Sequence, residues 1–356
     1  MLAKQRLLVE AWYPDSSPPA FVAPEGDARS DEALRLPATL PCGLMPLTPA
    51  PEQPLIDMDL PPRIVIIVLN WNGFADTCEC LNSLKRVTYP NHEIVVIDNG
   101  SSGDDARRLR EMFGPYAKII ANPENLGFAG GCNPGIRRAL DGGAEFVLLL
   151  NNDVTVDPPF LDRMVATARE LPDAAALCPK IYFREPPTVI CSTGGRVYPW
   201  TGSARQVGRG EEDHGQYDQV AVRDYADGAC MLISKEALVR VGLLDEEYFA
   251  YWEETDWCDR ARRANLRCYY VPTAHVWHRT ARSQAPDSGY HYLFRRNAFL
   301  FLRKRKTPLH LLSALMVYLL VLAPIHLLRH PGAIRRLPGE ASALLWHLGH
   351  PFRSRN

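Results

Sequence analysis

Much that would narrow the field quickly is missing from this 356-residue chain. It has no CxxC pair and no Cys/His spacing suited to a metal, so neither a dithiol redox centre nor a zinc module is encoded. The nine cysteines are odd in number and scattered, and are expected to be reduced, buried thiols in a cytoplasmic compartment. GxGxxG is absent, which removes the dinucleotide fingerprint, and so is GK[ST], which removes the P-loop. The opening MLAKQRLLVEAWYPD is too short and too soon broken by charge to read as a signal peptide. Net charge is nearly absent too: 40 Lys+Arg face 41 Asp+Glu, which speaks against a nucleic-acid binder. With 46% hydrophobic and 23% charged residues, the chain is not wholly disordered, collagen-like or a polytopic membrane protein.

The neutral sum hides an imbalance. Residues 1–62 carry 4 basic and 9 acidic groups, residues 63–259 carry 19 and 30, and residues 260–356 carry 17 and 2. A basic C-terminal quarter thus faces an acidic body. Proline is uneven as well: 12 of 30 lie in residues 1–62. Such a stretch cannot sustain helix or sheet ladders, so residues 1–61 are expected to form an extended arm.

After Pro62 the pattern changes. RIVIIVLNWNG (63–73), EIVVIDNGSSG (93–103) and FVLLLNNDV (146–154) are apolar runs that end in turn residues, as strands buried on both faces should. Helical spacing over 76–87, 104–113, 126–141 and 158–171 separates them from one another and from shorter strands at 118–124 and 176–183. This alternation predicts an α/β fold with a mostly parallel sheet. Residues 184–224 read as a loose, mobile loop region. Further on, LLSALMVYLLVLAPI (311–325) directly follows Arg303-Lys304-Arg305-Lys306. Three readings of 309–328 stand open: a buried core helix, an interfacial anchor whose basic flank grips anionic lipid, and a marginal membrane span.

Ligands of a parallel sheet bind beyond the C-terminal strand ends, at the switch in strand order. Three ends carry polar residues there: Asn70-Trp71-Asn72-Gly73, Asp98-Asn99-Gly100-Ser101 and Asn151-Asn152-Asp153. Asp98 could accept hydrogen bonds from a base or ribose, although Asp-Asn-Gly also simply makes a turn. Asp153 at the rim could share Mg²⁺ or Mn²⁺ with phosphate oxygens, although Asp157-Pro158 nearby suits a helix start. The Gly-rich NLGFAGGCNPG (125–135) could let backbone approach a diphosphate. In EETDWCDRARR (253–263), Glu253, Glu254 and Asp256 open a helix behind the aromatic run Tyr248-Phe249-Ala250-Tyr251-Trp252. Acids in a first turn suit the helix dipole, but an aromatic wall would also raise a carboxylate toward general-base range. His275 and His278 alternate along a strand, so one shared metal is not expected; His278 alone is a candidate diphosphate or metal contact.

Taken in order, VIIVLNWNG, IVVIDNGSSG, NPENLGFAGGCNPGI, FVLLLNNDV, DGACMLISKEALVRVGLLDEEYFAYWEETDWCDR and HVWHRTARS resemble the family 2 glycosyltransferases of GT-A fold, in particular their rhamnosyltransferase-like subgroup. The resemblance covers about 62–300. It implies a GT-A domain over 62–306. Residues 307–356 lie outside the resemblance, and their apolar and basic composition makes a membrane-associating helical segment the expectation there. The resemblance also implies inverting transfer of a sugar, rhamnose from dTDP-rhamnose in the subgroup, from a nucleoside-diphosphate donor to an acceptor hydroxyl. By position, Asp98 matches the acid that contacts the nucleotide base. Asn70, Trp71, Asn72, Asn99, Gly127, Asn133 and Asn152 fall in the donor pocket. Asn151-Asn152-Asp153 stands in place of the DxD motif, leaving Asp153 as the metal carboxylate, joined by His278. The catalytic base falls on Glu254, with Glu253 and Asp256 as alternates, and Asp227 and Trp252 fall near the acceptor. A saccharide or polyprenyl-diphosphate-linked acceptor, cell-envelope polysaccharide synthesis and a place at the inner face of the cell membrane follow as expectations. C-terminal helices packed on the body or forming a homodimer are the soluble counterpart. Two other classes stay open: a nucleotidyltransferase, which would need a Gly-rich, Lys/Arg-bearing first loop that LNWNGF lacks, and a catalytically silent sugar-nucleotide-binding scaffold.

Overall fold

A computed structural model of the chain describes residues 61–280, 290–324 and 342–347. All but the last residue of the expected N-terminal arm lies outside them. The first half alternates as its apolar runs require: β1 (Ile64–Asn70), α1 (Phe74–Leu84), β2 (His92–Asn99), α2 (Asp105–Phe113), β3 (Lys118–Asn122), α3 (Gly127–Asp141), β4 (Phe146–Asn151), β5 (Val154–Val156), α4 (Phe160–Glu170) and β6 (Ala174–Phe183). In β1, Ile64, Ile66 and Val68 enter one apolar cluster while Val65 and Ile67 enter another. Side chains alternate across a strand, so an unbroken apolar run means helices cover both faces. One face takes Leu81 and Leu84 of α1, Phe113 of α2 and Met164 of α4. The opposite face takes Cys132 and Ile136 of α3.

Beyond β6 lie β7 (Ile190–Ser192), β8 (Gly195–Tyr198), β9 (Ser203–Gln206), β10 (Ala221–Arg223), β11 (Cys230–Ser234), α5 (Lys235–Val241), α6 (Glu253–Arg263), β12 (Arg267–His278), α7 (Tyr290–Arg305) and α8 (Pro308–Val317), which runs into a π turn at Tyr318–Leu322. The main sheet runs β10-β12-β6-β11-β4-β1-β2-β3. β1 is parallel to β2 and β4, β2 to β3, and β6 to β12. A short antiparallel strand, β11, is inserted between β4 and β6. Strand order reverses at β1, and pairing of Asn70 with Asp98 and of Leu69 with Asn151 brings three polar strand ends side by side.

Two expectations need correction. Residues 184–224 are not a loose loop: they contribute β7, β10 and the β8–β9 hairpin. Lys180, whose side chain is 2% exposed, reaches Asp213 at 2.9 Å and Asp218 at 2.7 Å, and Tyr182 Oη donates to Asp213. A buried ammonium must be paired, so it ties this segment to β6. Likewise Arg303 to Lys306 do not form a free basic cluster. Lys304 pairs with Asp245 (2.6 Å) and Glu247 (2.5 Å), Arg305 with Asp256 (2.6 Å) and Lys306 with Asp259 (2.5 Å), while Arg303 lies 2.9 Å from His347. Among the described residues, Lys304 to Lys306 are thus met by carboxylates of the acidic body. Phe299, Phe301 and Leu302 of α7 form a third cluster with Tyr248, Trp252, Ala314 and Tyr318. Among the described residues no helix is long and apolar enough to cross a membrane; 325–328 of the candidate span lie outside them. One flank of α8 packs on α7 while Leu309, Leu312 and Met316 stay exposed.

Candidate active site

At the switch point the strand ends form one polar network. Asn70, fully buried, donates from Nδ2 to Asp98 Oδ1 at 2.7 Å and Asp105 Oδ2 at 3.1 Å, and accepts from Thr77 Oγ1 at 2.7 Å. Ser101 Oγ donates to Asp98 Oδ1 at 2.5 Å and accepts from the Asn72 N–H at 2.9 Å. Asn72 sits at φ 50, a turn conformation Asn tolerates, and Trp71 beside it is 56% exposed at the rim. Asn152 Nδ2 donates to Thr77 Oγ1 at 2.9 Å, joining the β4 end to the same network. Asn70, Asn72, Asp98 and Asn152 are thus brought together.

Asn99 and Asn133 do different work. Asn99 Nδ2 donates to Asn125 Oδ1 at 3.0 Å and to the Gly127 carbonyl at 2.9 Å, fixing the Gly-rich turn. Asn133, 1% exposed, donates to the Leu244 carbonyl at 3.0 Å and to Glu246 Oε1 at 2.8 Å, holding the loop that follows α5. Gly127 has φ +74, and a Cβ there would lie 2.3 Å from the Phe249 carbonyl oxygen. The close approach it permits is therefore to the loop before α6.

Asp153 and His278 come together from the β4–β5 turn and the end of β12, with Oδ1 and Nε2 3.1 Å apart. Burial opposes charge on His278, but the Asp153 carboxylate outweighs it and lifts the imidazole pKa to about 10. The pair can turn one oxygen and one nitrogen onto a shared cation, a donor set that suits Mn²⁺ and accepts Mg²⁺ less readily. Cys191 hydrogen-bonds His278, but among the described residues no three acids, Cys or His are arranged to hold a metal together, so the remaining positions would fall to phosphate oxygens and water. His275 is elsewhere, its Nε2 3.0 Å from the Pro272 carbonyl. Arg279 follows His278 and reaches Asp76 at 2.7 Å.

The three acids of α6 have separate surroundings. Asp256 is fully buried and accepts from Tyr248 Oη at 2.9 Å, Arg260 Nε at 2.9 Å and Arg305 Nε at 2.6 Å, so it acts as an anchor between helices. Glu253 is 5% exposed; burial, then its neighbour Glu254, pushes its carboxyl well above the usual range, and among the described residues Oε2 finds no hydrogen-bond partner. Glu254 keeps a partial opening to solvent. Burial, reinforced by the Asp227 carboxylate, raises its pKa to about 7. Its side chain lies against Gly228, where a Cβ would stand 3.4 Å from Cγ. Asp227 accepts from Gln206 Nε2 at 2.7 Å and from the Ala229 N–H at 3.0 Å, and the Ala229 carbonyl takes the Asn151 N–H at 2.9 Å. A few residues of backbone therefore connect Glu254 to the strand end that carries Asp153. Trp252 is 3% exposed and packs on Phe294 and Phe301, so it belongs to the third core cluster and not to an open acceptor pocket.

Residues 64–239 match the glycosyl transferase family 2 profile. A low-salt glycan biosynthesis hexosyltransferase, Agl10 of Haloferax volcanii, is 30% identical over 66% of this chain and 74% of its own. The chain belongs to glycosyl transferase family 2. Another relative, the N-acetylglucosaminyl-diphospho-decaprenol L-rhamnosyltransferase of Mycobacterium tuberculosis, is 28% identical over 63% of this chain and 79% of its own. The fold is shared with a crystal structure of GalNAc-T7 with UDP, GalNAc and Mn²⁺, at TM-score 0.54 and 15% identity over 70% of this chain and 48% of that one. In this family 2 glycosyltransferase the candidate site also includes side chains that the motifs did not single out. Thr77 lies inside a helix pattern. Gln206 sits in a stretch read as loop. Each joins the site through a contact made far away in sequence.

Proposed function

We propose that the protein is an inverting, metal-dependent transferase that moves a sugar, rhamnose from dTDP-rhamnose, to a saccharide carried on a polyprenyl diphosphate. The reaction would serve cell-envelope polysaccharide assembly at the inner face of the membrane. In this reading residues 62–306 perform the transfer, 1–61 form an appended arm and 307–356 face the lipid. The printed name of the mycobacterial relative supports both the sugar and the carrier. The observation that carries the reading is Glu254: a carboxyl held near pH 7 beside Asp227, a short backbone path from Asp153.

Asp98, presented with Asn70 and Ser101, would receive the base and ribose, with Trp71 at the rim. Asp153 and His278 would hold Mg²⁺ or Mn²⁺, which when bound offsets negative charge on the departing diphosphate. Glu254, ionised, takes the acceptor hydroxyl proton at a carboxylate oxygen as that hydroxyl attacks the anomeric carbon. The attack comes from the face opposite the diphosphate, so the configuration inverts. Glu253 is too buried to reach an acceptor, and Asp256 is committed to Arg260 and Arg305. Neither competes with Glu254 for the role.

Glu254→Gln is expected to abolish transfer while nucleotide-sugar binding, read by titration calorimetry, survives. Turnover close to wild type in that variant would remove Glu254 from the mechanism. Binding heat with no released nucleoside diphosphate in the wild type would mark a silent binder instead.

A further inference from the structure

The turn that delivers Glu254 is strained and gripped. Phe249, Tyr251 and Trp252 have φ of 64, 69 and 77, positive values that cost energy for aromatic residues and persist only when surroundings enforce them; Phe249, at ψ −66, makes a tight γ-type turn and Trp252, at ψ −7, is left-handed. Trp252 is the residue before α6, and its carbonyl accepts the Asp256 N–H at 2.8 Å, the first bond of that helix. The path of 248–252 therefore sets where Glu253 and Glu254 begin.

What enforces the turn is an amide on α7. Asn297 is fully buried, and its Nδ2 lies 2.8 Å from the Tyr248 carbonyl oxygen and 2.7 Å from those of Ala250 and Tyr251. Its Oδ1 accepts from Arg296 Nε at 2.8 Å, and Arg296 NH2 donates to the Glu247 and Tyr248 carbonyls at 3.0 and 2.7 Å. The Phe249 carbonyl faces the other way and takes the Phe128 N–H at 2.5 Å. One carbonyl goes to the start of α3 and three go to one side chain.

We propose that Asn297 is the positioning residue of the active site: with Arg296 it holds 248–252 in the positive-φ path that starts α6 with Glu254 against Gly228 and Asp227. This rests on Glu254 being the base. Without the amide, the three carbonyls lose their shared donor and the aromatic residues relax toward ordinary φ. Glu254 then moves out of register with Asp227, Glu253 and Cys258, the titratable groups around it.

The test uses full-length protein, Asn297→Ala, and Asn297→Asp as a near-isosteric second variant should alanine not fold. ¹³C NMR of labelled glutamate, assigned with Glu254→Gln, follows the Glu254 titration without any need for activity. Loss of the amide should bring that titration down from near 7 by about one unit or more toward the ordinary range. In transfer assays kcat should drop roughly 10- to 100-fold while donor KM stays within about twofold. Adding Tyr251→Gly supplies a residue that takes positive φ freely, so it should recover part of both losses in the Asn297→Ala background. A folded variant with an unmoved Glu254 titration and wild-type kcat overturns the proposal. So does a Tyr251→Gly double variant that recovers nothing. A moved titration in Asn297→Ala together with a fully active Glu254→Gln would instead overturn the base assignment and leave the clamp standing.

Discussion

A carboxyl in a site that resists its ionisation weakens the fold once it is ionised. The ordinary pKa of Glu254, 4.5, rises to about 7 in the folded protein, first through burial and then through Asp227. Between those values the folded state keeps a proton that the unfolded chain has released, so stability falls as pH rises across the window. Glutamine keeps the shape and removes the charge. Glu254→Gln should therefore be more stable than wild type at pH 8 by roughly 1 to 3 kcal/mol, with the gap closing near pH 4.5, and urea unfolding at the two pH values measures it. A variant no more stable at pH 8 would contradict the environment assigned to Glu254. As the proposed base, the same carboxyl is expected to set the acid limb of kcat near pH 7. Because Asp227 contributes to the rise, Asp227→Asn should move that limb to lower pH, whereas an unmoved limb would mean burial alone sets it.

Elements were legible where a local pattern decides them and opaque where a distant partner does. The β1, β2 and β4 runs announced a sheet covered on both faces, and polar residues after each run marked the crevice, because periodicity and turn chemistry are local. In β11, CMLIS is an apolar run whose direction no local feature states, so its antiparallel insertion was not foreseen. Charged side chains were read least well. Arg305 looks the same in sequence whether it meets water or an Asp256 carboxylate 49 residues away. Asn297, a lone amide between arginines and an apolar run, carries no signal of its grip on three carbonyls. The segment 184–224 shows the consequence, since Lys180 turns a Gly/Arg-rich stretch into an ordered element. Lys180→Met would leave Asp213 and Asp218 without their cation, and is expected to cost about 2 to 4 kcal/mol. Limited proteolysis should then open new cleavage sites within 208–218. A variant as stable and as protease-resistant as wild type would mean the segment is held by its strands alone.

At the scale of the molecule, Lys304, Arg305 and Lys306 meet carboxylates of the body, and among the described residues α8 turns apolar side chains outward. Two segments free of acidic residues, 195–206 and 290–324, meet there. Ser313 Oγ donates to the Trp200 carbonyl at 3.0 Å, and the Trp200 and His310 rings lie 4.2 Å apart. Tyr198, Trp200, Leu309, Leu312, Met316 and Leu320 are exposed around that junction. Arg196 and Arg205 pair across the hairpin beneath. A leucine stripe with aromatic residues beside it and no acid suits the interfacial zone of a lipid bilayer, where a membrane-bound acceptor would be presented. The protein should therefore float with vesicles containing anionic lipid, and a Leu312→Glu, Met316→Glu variant should bind them roughly 100-fold less tightly. Since Lys304, Arg305 and Lys306 are paired internally, the expectation is that apolar contact through α8 supplies most of any such attraction. Flotation should then persist in about 0.5 M salt, where the Debye length is only a few ångströms. Loss of flotation at that salt would return the contact to the basic residues, and a salt-resistant homodimer with no flotation would assign the stripe to a second copy of the chain.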